Sequence, residues 1–233
     1  MLLTDWTPAK LAGMIDFAFL KPFATAERIE HHCELAVQYN FALVAIHPCE
    51  VERCARFLQG SLVRVGAVTG FPLGQNTPAV KEYEAADAIQ RGASEIDMMI
   101  NLRALKNGEI ALVREEISRL VKVCRGAGAI SKVILETCYL DDPEKETVCR
   151  ISLEEGADFV KTSTGFGPAG AIVADVRLMR QVVGSTLGVK AAGGIRDLAG
   201  AMRLIEAGAT RLGTSRAVEI IEELRAVNKP AGS

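Results

Sequence analysis

Between residues 14 and 224, short apolar runs alternate with helix-length amphipathic ones. The short runs are Met14–Phe17, Ala42–Ile46, Val63–Val68, Glu95–Met99, Lys132–Glu136, Asp158–Lys161, Gly188–Ala191 and Arg211–Gly213. Each has strand length, and a helical pattern follows each one. Helix starts are marked at Thr25, at Thr77 with Pro78 in the first helical position, at Asp142 with Pro143 likewise, and at Asp197. Gly92, Gly156 and Gly208 stand where helices end. Eight strand–helix units predict an α/β fold. It is a single (β/α)8 TIM barrel over residues 1–233, with a short N-terminal helix and a loose tail at 228–233. The competing doubly wound sheet normally uses about five or six strands. No GxGxxG follows the first strand, so a dinucleotide site has no support.

A weak internal repeat adds a frame. Gly92–Asp97 (GASEID), Gly156–Lys161 (GADFVK) and Gly208–Gly213 (GATRLG) each place a helix-closing glycine and an alanine before a strand. Asn40–Ala45 fits without the glycine. These are strands 4, 6, 8 and 2, and alternate strands supply each interior layer of such a barrel. Ala45, Asp97, Lys161 and Gly213 are therefore expected at one height, at the catalytic end. Leu43, Glu95, Phe159 and Arg211 are expected about 6–7 Å below. Glu95 and Arg211 are expected to pair there, because neither charge is tolerated alone in a barrel floor.

Composition narrows the function classes. Hydrophobic residues make up 49% of 233, ample for a sizeable core. Lys and Arg number 27 against 29 Asp and Glu, a net charge of −2, so neither nucleic acid nor an anionic membrane is an expected partner. No apolar run approaches the roughly 18 residues of a membrane span. The stretch Met1–Trp6 lacks the basic start and apolar core of a signal peptide, which makes the cytoplasm the expected compartment. The six cysteines form no CxxC pair and read as reduced, mostly buried thiols. Of the three histidines, His31 and His32 are helix neighbours pointing roughly 100° apart, and both are expected in solvent. A histidine metal site is accordingly not expected.

Lys161 ends the apolar strand-6 run, just before Thr162-Ser163-Thr164-Gly165. Lysine is rarely buried without a use, and a desolvated amine attacks carbonyls. The plain alternative is a surface lysine at a strand end. Asp16, Asp97, Lys161 and Lys190 all fall at strand ends, where barrel active sites lie. Burial and the charge of Lys190 would lower the pKa of Lys161. Asp97 is placed to move protons to and from a substrate hydroxyl, and Asp16 to hold Lys190. A purely structural ion-pair network at the rim stays open as the competing reading. Glycine turns follow strand 7 (Gly193-Gly194-Ile195-Arg196) and strand 8 (Gly213-Thr214-Ser215), the usual place for a phosphate in this architecture. Thr164 and Gly165 are expected to add contacts.

Five segments carry a resemblance. Ile15-Asp16 with Leu20-Lys21-Pro22, Gly70–Gly74 (GFPLG), Glu95–Asn101 (EIDMMIN), Ala157–Phe166 (ADFVKTSTGF) and Val189–Arg196 (VKAAGGIR) recur in order over nearly the whole chain. They resemble the deoxyribose-phosphate aldolase family. The resemblance implies a metal-independent class I aldolase without a cofactor. Such an enzyme reversibly cleaves 2-deoxy-D-ribose 5-phosphate to acetaldehyde and D-glyceraldehyde 3-phosphate in deoxynucleoside breakdown, and the family often forms homodimers. It also implies Lys161 as Schiff-base lysine, Asp97 as proton carrier, Lys190 as second lysine and Asp16 as relay acid. Gly193, Gly194, Arg196, Gly213 and Ser215 fall on phosphate-binding positions.

The chain departs from the family pattern in places. Asp16-Phe17-Ala18 stands where Asp-His-Thr is common, and Ala45 where many members carry cysteine. His47 replaces asparagine or tyrosine, Arg216 replaces a second serine, and a C-terminal tyrosine is missing. Arg216 either meets the phosphate or projects along its helix. These changes bear on substrate preference, so an aldolase for a related or unphosphorylated sugar stays open, as does a catalytically silent sugar-phosphate-binding barrel.

Overall fold

The structure, a computed structural model, describes residues 5–228. Its elements in order are α1 (Pro8–Ala12), β1 (Ile15–Ala18), α2 (Ala26–Tyr39), β2 (Leu43–Ile46), α3 (Val51–Phe57) and β3 (Arg64–Thr69). α4 (Pro78–Gln90), β4 (Glu95–Met99), α5 (Leu102–Lys106), α6 (Ile110–Ala127), β5 (Ile130–Ile134) and α7 (Asp142–Glu155) follow. β6 (Phe159–Lys161), α8 (Val173–Val183), β7 (Gly188–Ala192), α9 (Leu198–Glu206), β8 (Arg211–Thr214) and α10 (Ala217–Val227) complete the chain. The strands pair in parallel in sequence order, and β8 closes on β1, giving the (β/α)8 barrel with its short leading helix.

Each strand is buried on both sides. Outward residues such as Val44, Val65, Ile96, Val133, Val160, Val189 and Leu212 pack against the helices. The helices meet them with apolar stripes: in α6, Val113, Ile117, Leu120, Val121 and Cys124 recur at three- and four-residue spacing and are all buried. This layer between strands and helices is the apolar core. The barrel interior is different in kind.

Several expected boundaries shift for local reasons. β5 runs Ile130–Ile134 rather than Lys132–Glu136, because Glu136 takes a left-handed φ of 55° and ends the extended run. The cap of α7 is Asp141, not Asp142: its side chain accepts from the Glu144 N–H at 2.9 Å, and the Glu144 carboxylate accepts from the Asp141 N–H at 2.9 Å. Thr25 and Asp197 cap as expected, whereas Thr77 makes no side-chain cap bond. Asn228, placed in the loose tail by the sequence, donates to the Trp6 carbonyl at 2.9 Å. The rest of that tail lies outside the described residues. Among the described residues no helix is long and apolar enough to cross a membrane.

Candidate active site

Strand register sorts the inward side chains into three layers. Asp16 pairs across β1 with Leu43 on one side and Gly213 on the other. Gly66 lies between Ala45 and Glu95, Lys132 between Asp97 and Phe159, and Lys190 between Lys161 and Arg211. The odd strands thus supply a middle layer of Asp16, Gly66, Lys132 and Lys190. Above it lie Ala45, Asp97, Lys161 and Gly213; below it lie Leu43, Glu95, Phe159 and Arg211. Bulky branched residues usually fill these layers. Here seven of the twelve positions are ionisable, and burying so many charges is tolerated only with close partners.

The partners are all present. Asp97 Oδ1 accepts from Lys132 Nζ at 2.7 Å, while Oδ2 accepts from both Lys161 Nζ and Lys190 Nζ at 2.7 Å. Lys190 also contacts Asp16 Oδ2. Arg211 Nη1 donates to Asp16 Oδ1 at 2.7 Å and lies 3.5 Å from Glu95 Oε2. The expected Glu95–Arg211 contact exists, but the nearer partner of each is another residue. Lys132 Nζ is 2.6 Å from Glu95 Oε2, and the half-exposed Arg64 reaches Oε1 at 3.0 Å. Arg211 also stacks over the Phe159 ring at 5.4 Å, and a Cβ on Gly188 would strike that ring at 2.1 Å. Glycine at 188 is what lets Phe159 lie inside the barrel floor.

Charge decides which lysine is reactive. Inside the barrel, Lys132, Lys161, Lys190 and Arg211 face three carboxylates, Asp16, Glu95 and Asp97. Burial pushes Asp97 upward, but Lys132, Lys161 and Lys190 outweigh it and hold the carboxyl well below its usual range. Burial likewise opposes Asp16, yet Lys190, Lys132 and Arg211 bring it down to about 2. Lys132 is the reverse case: burial lowers it, and Asp97, Asp16 and Glu95 together raise it above the ordinary lysine value. Among the described residues, Lys161 has only Asp97 as an anionic partner. Burial, opposed by Asp97 and assisted by Lys190, takes it down to about 8.

A cavity of about 850 Å³ opens above Lys161 and Lys190. It collects Thr164 and Gly165 after β6, Gly193, Gly194 and Arg196 after β7, and Gly213 and Ser215 after β8. Asp97 and Asp16 do not line it; they lie beneath its floor. Gly193 and Gly194 take left-handed φ values of 83° and 75°. The β6 loop presses on this turn, with the Ala171 N–H donating to the Ala192 and Gly193 carbonyls at 3.1 Å.

The Thr164 hydroxyl is already committed. It donates to the buried Glu136 carboxylate and accepts from the Phe166 N–H at 3.0 Å, while the Thr164 N–H donates to Glu136 Oε1 at 3.2 Å. Its hydroxyl and its N–H therefore both shape the loop. Arg216 pairs along its helix with Glu219 at 3.1 Å. His47 Nε2 donates to the Leu20 carbonyl at 3.0 Å.

Two residues escaped the sequence reading. His32 is not in solvent: its ring stacks on Phe17 at 3.6 Å, and Nε2 donates to the Phe17 carbonyl at 3.1 Å. Burial lowers it to about 4, so it is neutral at physiological pH. The ring replaces solvent with an aromatic partner on the preceding strand, which helix period alone does not reveal. Lys132 was placed in a strand but given no role. Its signal was present: Gly128 stands four residues before it, between the heights at three and five residues that the repeat assigns to the other two layers. On an odd strand that offset points inward.

Known proteins resemble this chain over nearly its whole length. The DeoC/LacD family aldolase profile matches residues 12–218. The deoxyribose-phosphate aldolase of Bacteroides thetaiotaomicron is 62% identical over 98% of this chain and 96% of that one. That of Caldanaerobacter subterraneus subsp. tengcongensis is 53% identical, covering 96% of this chain and 97% of its own. Among solved structures, the tetrameric deoxyribose phosphate aldolase of Aeropyrum pernix superposes with a TM-score of 0.89 at 34% identity, over 95% of this chain and 93% of that one. On the match over residues 12–218 and relatives 62% and 53% identical over nearly the whole chain, this chain belongs to the DeoC/LacD aldolase family.

Proposed function

We propose that this chain is a class I aldolase that reversibly cleaves 2-deoxy-D-ribose 5-phosphate to D-glyceraldehyde 3-phosphate and acetaldehyde, with Lys161 as the Schiff-base residue. The observation that carries the reading is Lys161 itself: buried, lowered to about 8, with one carboxylate partner, and opening on the cavity. The neutral amine attacks C1 of the open-chain sugar, and loss of water gives an iminium. Asp97, ionised, takes the C3 hydroxyl proton through water. The C2–C3 bond breaks, its electron pair flows into the iminium to form an enamine, and glyceraldehyde 3-phosphate leaves. Protonation of the enamine at C2 and hydrolysis of the imine release acetaldehyde and restore Lys161. The iminium is the electron sink, so the chain's own residues suffice for every step.

Lys190 shares Asp97 Oδ2 with the reacting nitrogen, and Asp16 holds Lys190. The N–H groups of Gly193, Gly194 and Ser215 and the start of α10 form the phosphate cradle, with Arg196 at its rim. Gly165 and the backbone of Thr164 border the sugar. A homodimer in the cytoplasm belongs to the same reading, and sedimentation of the full chain measures its assembly.

Incubation with acetaldehyde and borohydride, followed by peptide mass mapping, tests the assignment. The expected result is one ethyl adduct on Lys161, absent from Lys161→Leu. Adduct formation elsewhere, or none, refutes it. Faster cleavage of deoxyribose 5-phosphate than of deoxyribose is expected; the opposite order assigns the chain to unphosphorylated sugars.

A further inference from the structure

Lys132 is fully buried and does not reach the cavity, yet it sits at the centre of the interior charges. Its Nζ lies 2.6 Å from Glu95 Oε2, 2.7 Å from Asp97 Oδ1 and 3.6 Å from Asp16 Oδ2. Of the interior cations it alone meets all three carboxylates. Around it stand Asp16 from β1, Glu95 and Asp97 from β4, Lys161 from β6, Lys190 from β7 and Arg211 from β8, with Arg64 of β3 on the far oxygen of Glu95. Because Lys132 fills Oδ1 of Asp97, both Lys161 and Lys190 must share Oδ2. Two ammonium groups on one oxygen are poorly compensated in a dry interior.

We propose that Lys132 is a positioning residue for the aldolase reaction: it anchors Asp97 by Oδ1, presents Oδ2 to both cavity lysines, and by its charge favours proton loss from Lys161, enlarging the share of neutral, nucleophilic amine. The proposal rests on Lys161 being the Schiff-base residue. Apart from the half-exposed Arg64, four buried cations face three carboxylates among the described residues, so one proton is in excess. Lys132, Lys190 and Arg211 each contact at least two carboxylates, whereas Lys161 contacts one and gives up its proton. Replacing Lys132 by a neutral residue balances the charges, and Lys161 then holds its proton to higher pH. Removing the charge of Glu95 has the opposite sign, since it takes a negative charge from beside Lys132, its nearest partner at 2.6 Å. A residue that merely fills the floor would change rate or stability without moving the two profiles apart.

The test is the rate of acetaldehyde trapping on Lys161 by cyanoborohydride, read by mass between about pH 5 and 10. In the unmodified protein the midpoint is expected near 8. In Lys132→Met it moves up by about one unit or more, with about a tenfold lower rate at neutral pH. In Glu95→Gln it moves down, and in Lys132→Arg it stays, whatever the rate. An unmoved midpoint in Lys132→Met, or movement of both variants in one direction, overturns the proposal. If Lys132→Met does not fold, the direction in Glu95→Gln decides: an unmoved or raised midpoint overturns it. Failure to label Lys161 in the unmodified protein is a separate outcome and refutes the aldolase reading instead.

Discussion

Lys161 holds its proton less tightly than an ordinary lysine because its surroundings under-compensate it, and in the proposed reaction its neighbour on the upper layer sets which aldehydes it survives. Ala45 is buried beside the cavity that holds Lys161, at the height where a thiol is common in the family. An α,β-unsaturated aldehyde bound as an imine there meets no sulfur. Exposure to crotonaldehyde is expected to leave this protein active and to inactivate Ala45→Cys by covalent addition, seen as a mass increase on the new thiol. Equal rates of inactivation in the two would contradict that. At this scale Lys161 and Lys190 were legible because each stands at or near a strand end before Gly-containing loops, and Asp97 because the GASEID repeat sets it at the height of Lys161. Glu136 and Lys132 were not, because a carboxylate gripping a loop 28 residues away and a lysine pairing with Asp97 across 35 residues leave no local pattern.

Elements carry the phosphate end of the site. The loop between β6 and α8 lies on the turn after β7 with no space between them: a Cβ on Gly170 would stand 2.1 Å from the Gly193 carbonyl oxygen. Gly170→Ala must therefore push the Gly193-Gly194 turn out of place. The expected outcome is a KM for deoxyribose 5-phosphate raised about tenfold, the loss of one good charge-assisted hydrogen bond, with acetaldehyde trapping on Lys161 retained. Steady-state kinetics beside the trapping assay measure both. An unchanged KM would place the phosphate elsewhere. Helix and strand positions were largely readable, since their periodicity is local. The misplaced end of β5 and the cap of α7 turn on one left-handed residue and on a choice between adjacent aspartates, which periodicity does not resolve.

For the whole molecule, the charged barrel interior links the active site to acid stability. Asp16 falls from 3.8 to about 2 on folding, so it stabilises the folded state above its unfolded value and loses that contribution as pH drops through about 2. Asp97 acts in the same direction. Asp16 alone is worth about 2 kcal/mol, lost between roughly pH 4 and 2. Urea unfolding across that window is expected to show a fall of at least that size, and a flat profile would refute the ion network as drawn. Lys161 gives a slope of the same sign in a higher window: its folded value lies below 10.5, so it costs stability at neutral pH and stability rises from about pH 8 upward. The barrel, its strand count and the position of its reactive lysine follow from short-range order: period two, period 3.6, capping residues and glycine turns each span a few neighbours in the chain. Which lysine loses its proton, which oxygen of Asp97 faces it, and that His32 is buried and Thr164 spoken for depend on distances across the closed barrel. Those distances exist only once β8 has met β1, because electrostatic balance is a property of the enclosed set and not of any one residue.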